Sequence, residues 1–95
     1  MYGSLKYPRA PIVNRYKINA SYLAGRINRN PGVRFAVFVI DKKSKIYPYD
    51  LKLVQEIIEK SPINFVGVYE SGPGYFVTKD QIREDCNRVK HQLGA

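Results

Sequence analysis

The sequence predicts an α+β domain: an antiparallel sheet of about four strands, built as two β-hairpins, with three short helices packed on one face. Three observations predict it. Two segments, VRFAVFVI (33–40) and INFVGVY (63–69), are rich in β-branched and aromatic residues, the composition that suits a pleated surface. Each runs into a turn, DKKSK (41–45) or SGPG (71–74), followed by a short return segment. Stretches of helical periodicity stand before, between and after them. The expected order is therefore α-β-β-α-β-β-α after an extended basic N-terminal arm, with the arm over 1–18 and a single domain over 19–95.

The elements follow in order. Residues 1–11 contain Pro8 and Pro11 and alternate tyrosine with cations, so an extended arm is expected. IVNRYKI (12–18) alternates well enough for an edge strand. Asn19 or Ser21 is placed to cap a helix over about 20–30, with Leu23, Ala24 and Ile27 on one face and Pro31-Gly32 ending it. In 33–40, Val33, Phe35, Val37 and Val39 point one way and Ala36, Phe38 and Ile40 the other, so the strand needs cover on both sides. Lys45–Tyr47 returns as a hairpin. Asp50 is placed to cap a helix over about 51–60, with Leu51, Val54, Ile57 and Ile58 facing the core and a Glu56–Lys60 pair on the wet side. Pro62 stops it. YFVT (75–78) is expected to return beside 63–69. Thr78 and Gln81 form a capping box for a last helix over about 79–92, whose buried stripe is Ile82, Cys86, Val89 and Leu93. With all helices on one face, the face carrying Phe38, Ile40, Val66 and Val68 is left wet. Such a patch marks an interface, covered by the arm or by a second copy in a homodimer.

The charge is the informative part of the composition. Residues 1–49 hold ten cations and one anion, Asp41, for +9, whereas residues 50–95 hold six cations and seven anions, for −1. One block of positive charge attracts polyanions. No apolar run reaches the roughly 18–20 residues of a membrane span, and the N-terminus lacks the apolar core of a secretory signal. The lone cysteine, Cys86, cannot form an internal disulfide, which fits a reducing, cytoplasmic setting.

Catalytic constellations are sparse. One histidine, His91, and one cysteine make no zinc ligand set, so no metal and no cofactor is expected. Asp41, Asp50 and Glu70 lie at element ends, where a metal-dependent nuclease would gather ligands. Asp50 reads as a cap and Asp41 as a turn residue. Asp80, Glu84 and Asp85 read as a solvated helix face, with Glu84 four residues before Arg88. SGPGYF is too short for a dinucleotide fingerprint and does not open directly onto a helix.

SYLAGRINRNPG resembles the LAGLIDADG helix of homing endonucleases through Leu23-Ala24-Gly25 and Ile27, and the αββαββα order resembles that family's repeat. The family's acidic pair would fall at Asn28 and Asn30, neither of which is a carboxylate, and the chain is far shorter than the family's usual unit. The resemblance implies a DNA-binding saddle without cleavage. Four matched residues do not assign the family.

The basic block carries aromatics between its cations: Tyr7-Pro8-Arg9, Arg15-Tyr16-Lys17 and Lys42-Lys43-Ser44-Lys45-Ile46-Tyr47. Cations meet phosphate oxygens, the arginine fork suits them well, and a tyrosine ring stacks on an unpaired base. No RRM, KH or zinc-finger signature is present. The sequence therefore points to a small non-enzymatic protein that binds RNA or DNA through the backbone with modest sequence preference. Its expected contacts are Lys6, Arg9, Arg15, Tyr16, Lys17, Arg26, Arg29, Arg34, Lys42, Lys43 and Lys45. The rival expectation is a basic inhibitor or assembly factor that docks on an acidic protein.

Overall fold

The computed structural model describes residues 17–94. The arm, most of the edge strand expected over 12–18, and the candidate contacts Lys6, Arg9, Arg15 and Tyr16 lie outside the described residues. Within them run α1 (Ala20–Asn28), β1 (Phe35–Ile40), β2 (Lys43–Pro48), α2 (Lys52–Lys60), a 3-10 turn (Pro62–Asn64), β3 (Phe65–Tyr69) and α3 (Lys79–Gly94). The sheet has three strands in the order β2-β1-β3, and both neighbours run antiparallel to β1.

The α+β class and three helices are as the sequence predicts, but among the described residues the sheet has three strands and one hairpin rather than about four strands and two. Residues 75–78 form no strand, and only an isolated Gly72–Tyr75 bridge survives of the second hairpin. The cause is a competing partner for Val77. The Asn28 carboxamide donates from Nδ2 to the Val77 carbonyl at 2.8 Å and accepts the Val77 N–H on Oδ1 at 2.9 Å. One side chain thus satisfies both backbone groups that a neighbouring strand would have taken. Ser71 holds the start of the same loop: its buried hydroxyl donates to the Ile27 carbonyl at 2.9 Å, and its own carbonyl accepts the Gly32 N–H at 2.8 Å.

β1 is central and buried from Phe35 through Val39 because helices cover both faces of the sheet. On one face Phe35, Val37 and Val39 pack with Leu23 and Ile27 of α1 and with Ile82, Cys86 and Val89 of α3. On the other, Ala36 and Phe38 pack with Val54 of α2, joined by the partly buried Ile57, Ile58, Tyr47 and Phe65. The face that the sequence leaves wet is therefore closed. β2 and β3 run parallel to each other on either side of β1, so their connection has to cross a face of the sheet, and α2 is that connection. Phe38 is fully buried and Ile40 partly so. The apolar face on which the homodimer expectation rested shrinks to Val68.

Val66 leaves that face by a different route. Val37 pairs with Gly67 but Phe38 with Phe65, so Val66 is an extra residue in β3. A bulge of this kind shifts the alternation by one. Val66 turns into the α1/α3 core while Val68 stays exposed.

Two of the expected caps form. The Asn19 side chain accepts the Tyr22 N–H at 3.2 Å, and the Thr78 hydroxyl accepts the Gln81 N–H at 3.1 Å. The third does not: Leu51, not Asp50, holds the N-cap position of α2, with no side-chain hydrogen bond. The i,i+4 ion pairs expected at Glu56–Lys60 and Glu84–Arg88 are absent among the described residues. Arg88 turns instead to Asp85 at 3.2 Å, and Arg83 to Asp80 at 2.8 Å.

Candidate nucleic-acid interface

The β1–β2 hairpin closes with a two-residue turn, Asp41-Lys42, flanked by the Ile40–Lys43 pair. Both turn residues have positive φ, 53° and 65°, the type I′ geometry that matches strand twist. Lys17 joins this corner from the other side. Its N–H donates to the Lys42 carbonyl at 2.7 Å and its carbonyl accepts the Ser44 N–H at 3.1 Å, giving a parallel bridge with Lys43.

That register groups the cations. Parallel partners project to the same face of a sheet, and residues two apart on one strand do likewise. Lys17, Lys43 and Lys45 therefore share the face that α2 covers, at the outer edge of β2, and Lys42 stands at the hairpin tip. All four are exposed. Among the described residues no carboxylate forms an ion pair with any of them; the ion pairs present join Arg34, Arg83 and Arg88 to their partners. Asp41, next door in the turn, is the nearest acid in sequence.

The arginines gather elsewhere. The hairpin tip follows Ile40, whereas the Arg26 guanidinium lies 5.8 Å over the ring of Phe35, at the opposite end of β1. Five residue steps at ~3.3 Å separate the two ends by about 17 Å. Arg26 also donates to the Tyr22 hydroxyl at 3.4 Å, and Arg29 follows on the outward side of α1 with its guanidinium folded back over Gly25. Arg34 alone of the set has a carboxylate partner among the described residues. It sits 3.7 Å from Glu70 and 5.8 Å over the Tyr49 ring. The expected single basic surface is thus two: a lysine corner at the hairpin and an arginine end at the C-terminus of α1.

Sequence reading missed two exposed aromatics in the loop before α3. Tyr75 and Phe76, read as a returning strand, are 54 % and 75 % exposed. The lost hairpin leaves them in a loop, and no periodicity signal marks that outcome. Tyr22 is half exposed, and its hydroxyl accepts from Arg26.

The carboxylates do not converge. Asp50 and Glu70 line a cleft of about 260 Å³ with Gly32, Val33 and Arg34, but Asp41 lies at the opposite end of β1. No group of three or more potential metal ligands forms among the described residues. Cys86 is buried in the α1/α3 core. Burial, and then the neighbouring Asp85 charge, push its thiol up to about 11, so it stays protonated near neutral pH and is a poor nucleophile. Tyr69 donates from its hydroxyl to Asp85 at 2.6 Å; burial first and this bond second raise its pKa far above the usual tyrosine range. No helix among the described residues is long and apolar enough to cross a membrane.

No family model, curated protein or solved structure matches the chain. The LAGLIDADG resemblance loses its structural ground as well. Among the described residues the fourth strand of its repeat does not form, Leu23, Ala24 and Ile27 are core residues, and Asn28 is occupied in holding Val77.

Proposed function

We propose that the chain is a small non-enzymatic nucleic-acid-binding protein that engages the phosphate backbone through its lysine corner. One observation carries the reading. Lys17 and the Lys42, Lys43 and Lys45 group, far apart in sequence, meet at one exposed corner by strand pairing, with no ion pair to any described carboxylate. Four unpaired cations held close repel one another, and a polyanion relieves that repulsion while releasing its own counterions.

Anisotropy titration of labelled single- and double-stranded RNA and DNA at several salt concentrations tests this. With the four lysines engaged, the log–log salt slope is expected near −3 on single strands and about −3.6 on duplex. Failure to bind any of them at low salt overturns the reading.

One feature favours a second reading, a basic protein that docks on an acidic partner. A shallow cavity of about 280 Å³, lined by Ile40, Leu53, Glu56, Ile57, Lys60, Ser61 and Asn64, opens at the hairpin end of β1. Ile40 pairs directly with Lys43, so an apolar anchor of a partner would sit beside the cations. Tight capture of one acidic protein, with indifference to oligonucleotides, selects this reading instead.

A further inference from the structure

The two edges of the sheet are built differently. On β2, Lys17 takes the outward carbonyl of Lys42 and the outward N–H of Ser44, and Pro48 has no N–H to offer. On β3 no such cover forms among the described residues. Alternation fixes which way each residue of β3 presents its backbone. The Tyr49 N–H donates to the Arg34 carbonyl at 2.9 Å, so Arg34, Ala36 and Phe38 turn their ladder groups to β2, and Phe35 and Val37 turn theirs to β3. The β3 partners of Phe35 and Val37 are Tyr69 and Gly67. Val68, between them, therefore points its N–H and its carbonyl out of the sheet. Neither group has a hydrogen-bond partner among the described residues.

The side chains leave the same position open. Val68 lies opposite Ala36 on the α2 face, yet it stays exposed, outside the cluster that Val54, Phe38 and Phe65 form. The bulge at Val66 blunts the first half of the strand. The second half has no guard, since FVGVY contains neither a charge nor a proline. Glu70, just beyond it, already turns its carboxylate to Arg34.

Charge selects the occupant. An acidic partner would be drawn to the lysine corner, which stands at the other edge of the sheet with β1 between. The chain carries a net +8, and two copies of it meet with least repulsion at a neutral edge remote from those cations. A strand is also its own complement. About a two-fold axis normal to the sheet, the Val68 N–H of each copy donates to the Val68 carbonyl of the other, and the two exposed side chains stand side by side. The chain's own N-terminal segment joins the domain at Lys17, on the outer side of β2 and away from this edge.

We propose that β3 is a self-pairing edge, through which two copies join antiparallel with Val68 on the two-fold axis to form one continuous six-stranded sheet, β2-β1-β3 followed by its mirror order. Nothing in this depends on the nucleic-acid reading. An axis normal to the sheet does keep both lysine corners on one face, at the two outermost strands. The contact is one short strand, well below the ~1,600 Å² of a standard interface. The dimer is therefore weak, with a dissociation constant of roughly 10 µM to 1 mM.

Sedimentation equilibrium of the full chain, from about 10 µM to 1 mM, reads the association. Raising salt should strengthen it, because screening removes the repulsion between like-charged chains. Val68→Glu sets two carboxylates together at the axis and should weaken dimerisation about tenfold, whereas Val68→Ile should dimerise at least as well as the parent. Circular dichroism checks that each variant is folded. Amide exchange reads the edge itself. Exchange of the Val68 N–H should slow as protein concentration rises, while the Tyr69 N–H, turned to β1, is protected throughout. A chain that stays monomeric at about 1 mM overturns the proposal. So does a dimer that Val68→Glu leaves intact while the Val68 amide stays fast, which puts the contact elsewhere. Val68 protection that is equal at every concentration also overturns it and assigns the edge to residues 1–16 of the same chain. If Val68→Glu does not fold, the concentration dependence of the parent's Val68 amide decides.

Discussion

Lys42 occupies a backbone position that favours another residue. At φ 65° it is in the left-handed region, which costs an L residue about 1–2 kcal/mol relative to its preferred conformations, and the second position of a type I′ turn is ordinarily glycine. Lys42→Gly removes that strain but adds backbone entropy to the unfolded chain. The net expectation is a gain of about 0.5–1 kcal/mol in stability, read as a higher urea midpoint with an unchanged m-value. The same change removes a cation from the hairpin tip. Nucleic-acid binding should weaken, and the salt slope should flatten by about 0.7–0.9. A variant that is more stable yet binds less tightly separates the two roles of one residue. A stabilised variant with unchanged binding would leave the tip lysine outside the interface.

At the scale of elements, α2 is the most weakly fixed helix of the domain. It buries one residue completely, Val54, and its N-cap Leu51 is exposed and makes no side-chain bond. Leu51 already has the extended backbone of a cap, φ −73° and ψ 133°, so a hydroxyl there can reach the open N–H groups of the first turn. Leu51→Ser is expected to stabilise the protein by about 1 kcal/mol, seen as a raised urea midpoint and slower amide exchange in α2. No gain would mean that the first turn already finds its partners in water. The sequence carries the signal for this helix and misplaces its cap by one residue, because Asp50 and Leu51 differ in backbone register rather than in composition. The other elements divide the same way. β1 is legible because five consecutive buried apolar residues leave no other assignment, and the stripe Ile82, Cys86, Val89 marks α3 by spacing alone. The missing fourth strand is not legible, since the group that replaces its partner is Asn28, 49 positions from Val77. The β3 bulge is hidden too: FVGVY reads as plain alternation, and only pairing with β1 exposes the extra Val66. Periodicity shows which side of α2 is apolar, but not which face of the sheet it will cover. For the interface, the sequence shows the positive half of the chain but not its division. Strand register collects the lysines at one end of β1 and helix geometry carries the arginines to the other.

For the molecule as a whole, the lysines on β2 admit a purely structural explanation. Edge strands are commonly guarded by lysine and proline against pairing with other chains, and Lys43, Lys45 and Pro48 all lie on an edge. Yet this edge is already blunted. Lys17 takes the outward carbonyl of Lys42 and the outward N–H of Ser44, and Pro48 has no N–H to offer. Alternation along the strand leaves Ile46 as the position between them with ladder groups facing outward. One open position does not call for a cluster of four cations that repel one another across the full width of the hairpin. The double variant Lys43→Thr/Lys45→Thr decides between the explanations, because threonine keeps strand propensity while removing both charges. If the lysines only guard the edge, light scattering should show concentration-dependent association while oligonucleotide affinity holds. If they meet phosphate, affinity at low salt should fall by tenfold or more and the slope should flatten by about 1.4 on single strands, with the protein still monodisperse. The second outcome is expected, and the difference between the two is largest at low ionic strength, where unscreened cations count most.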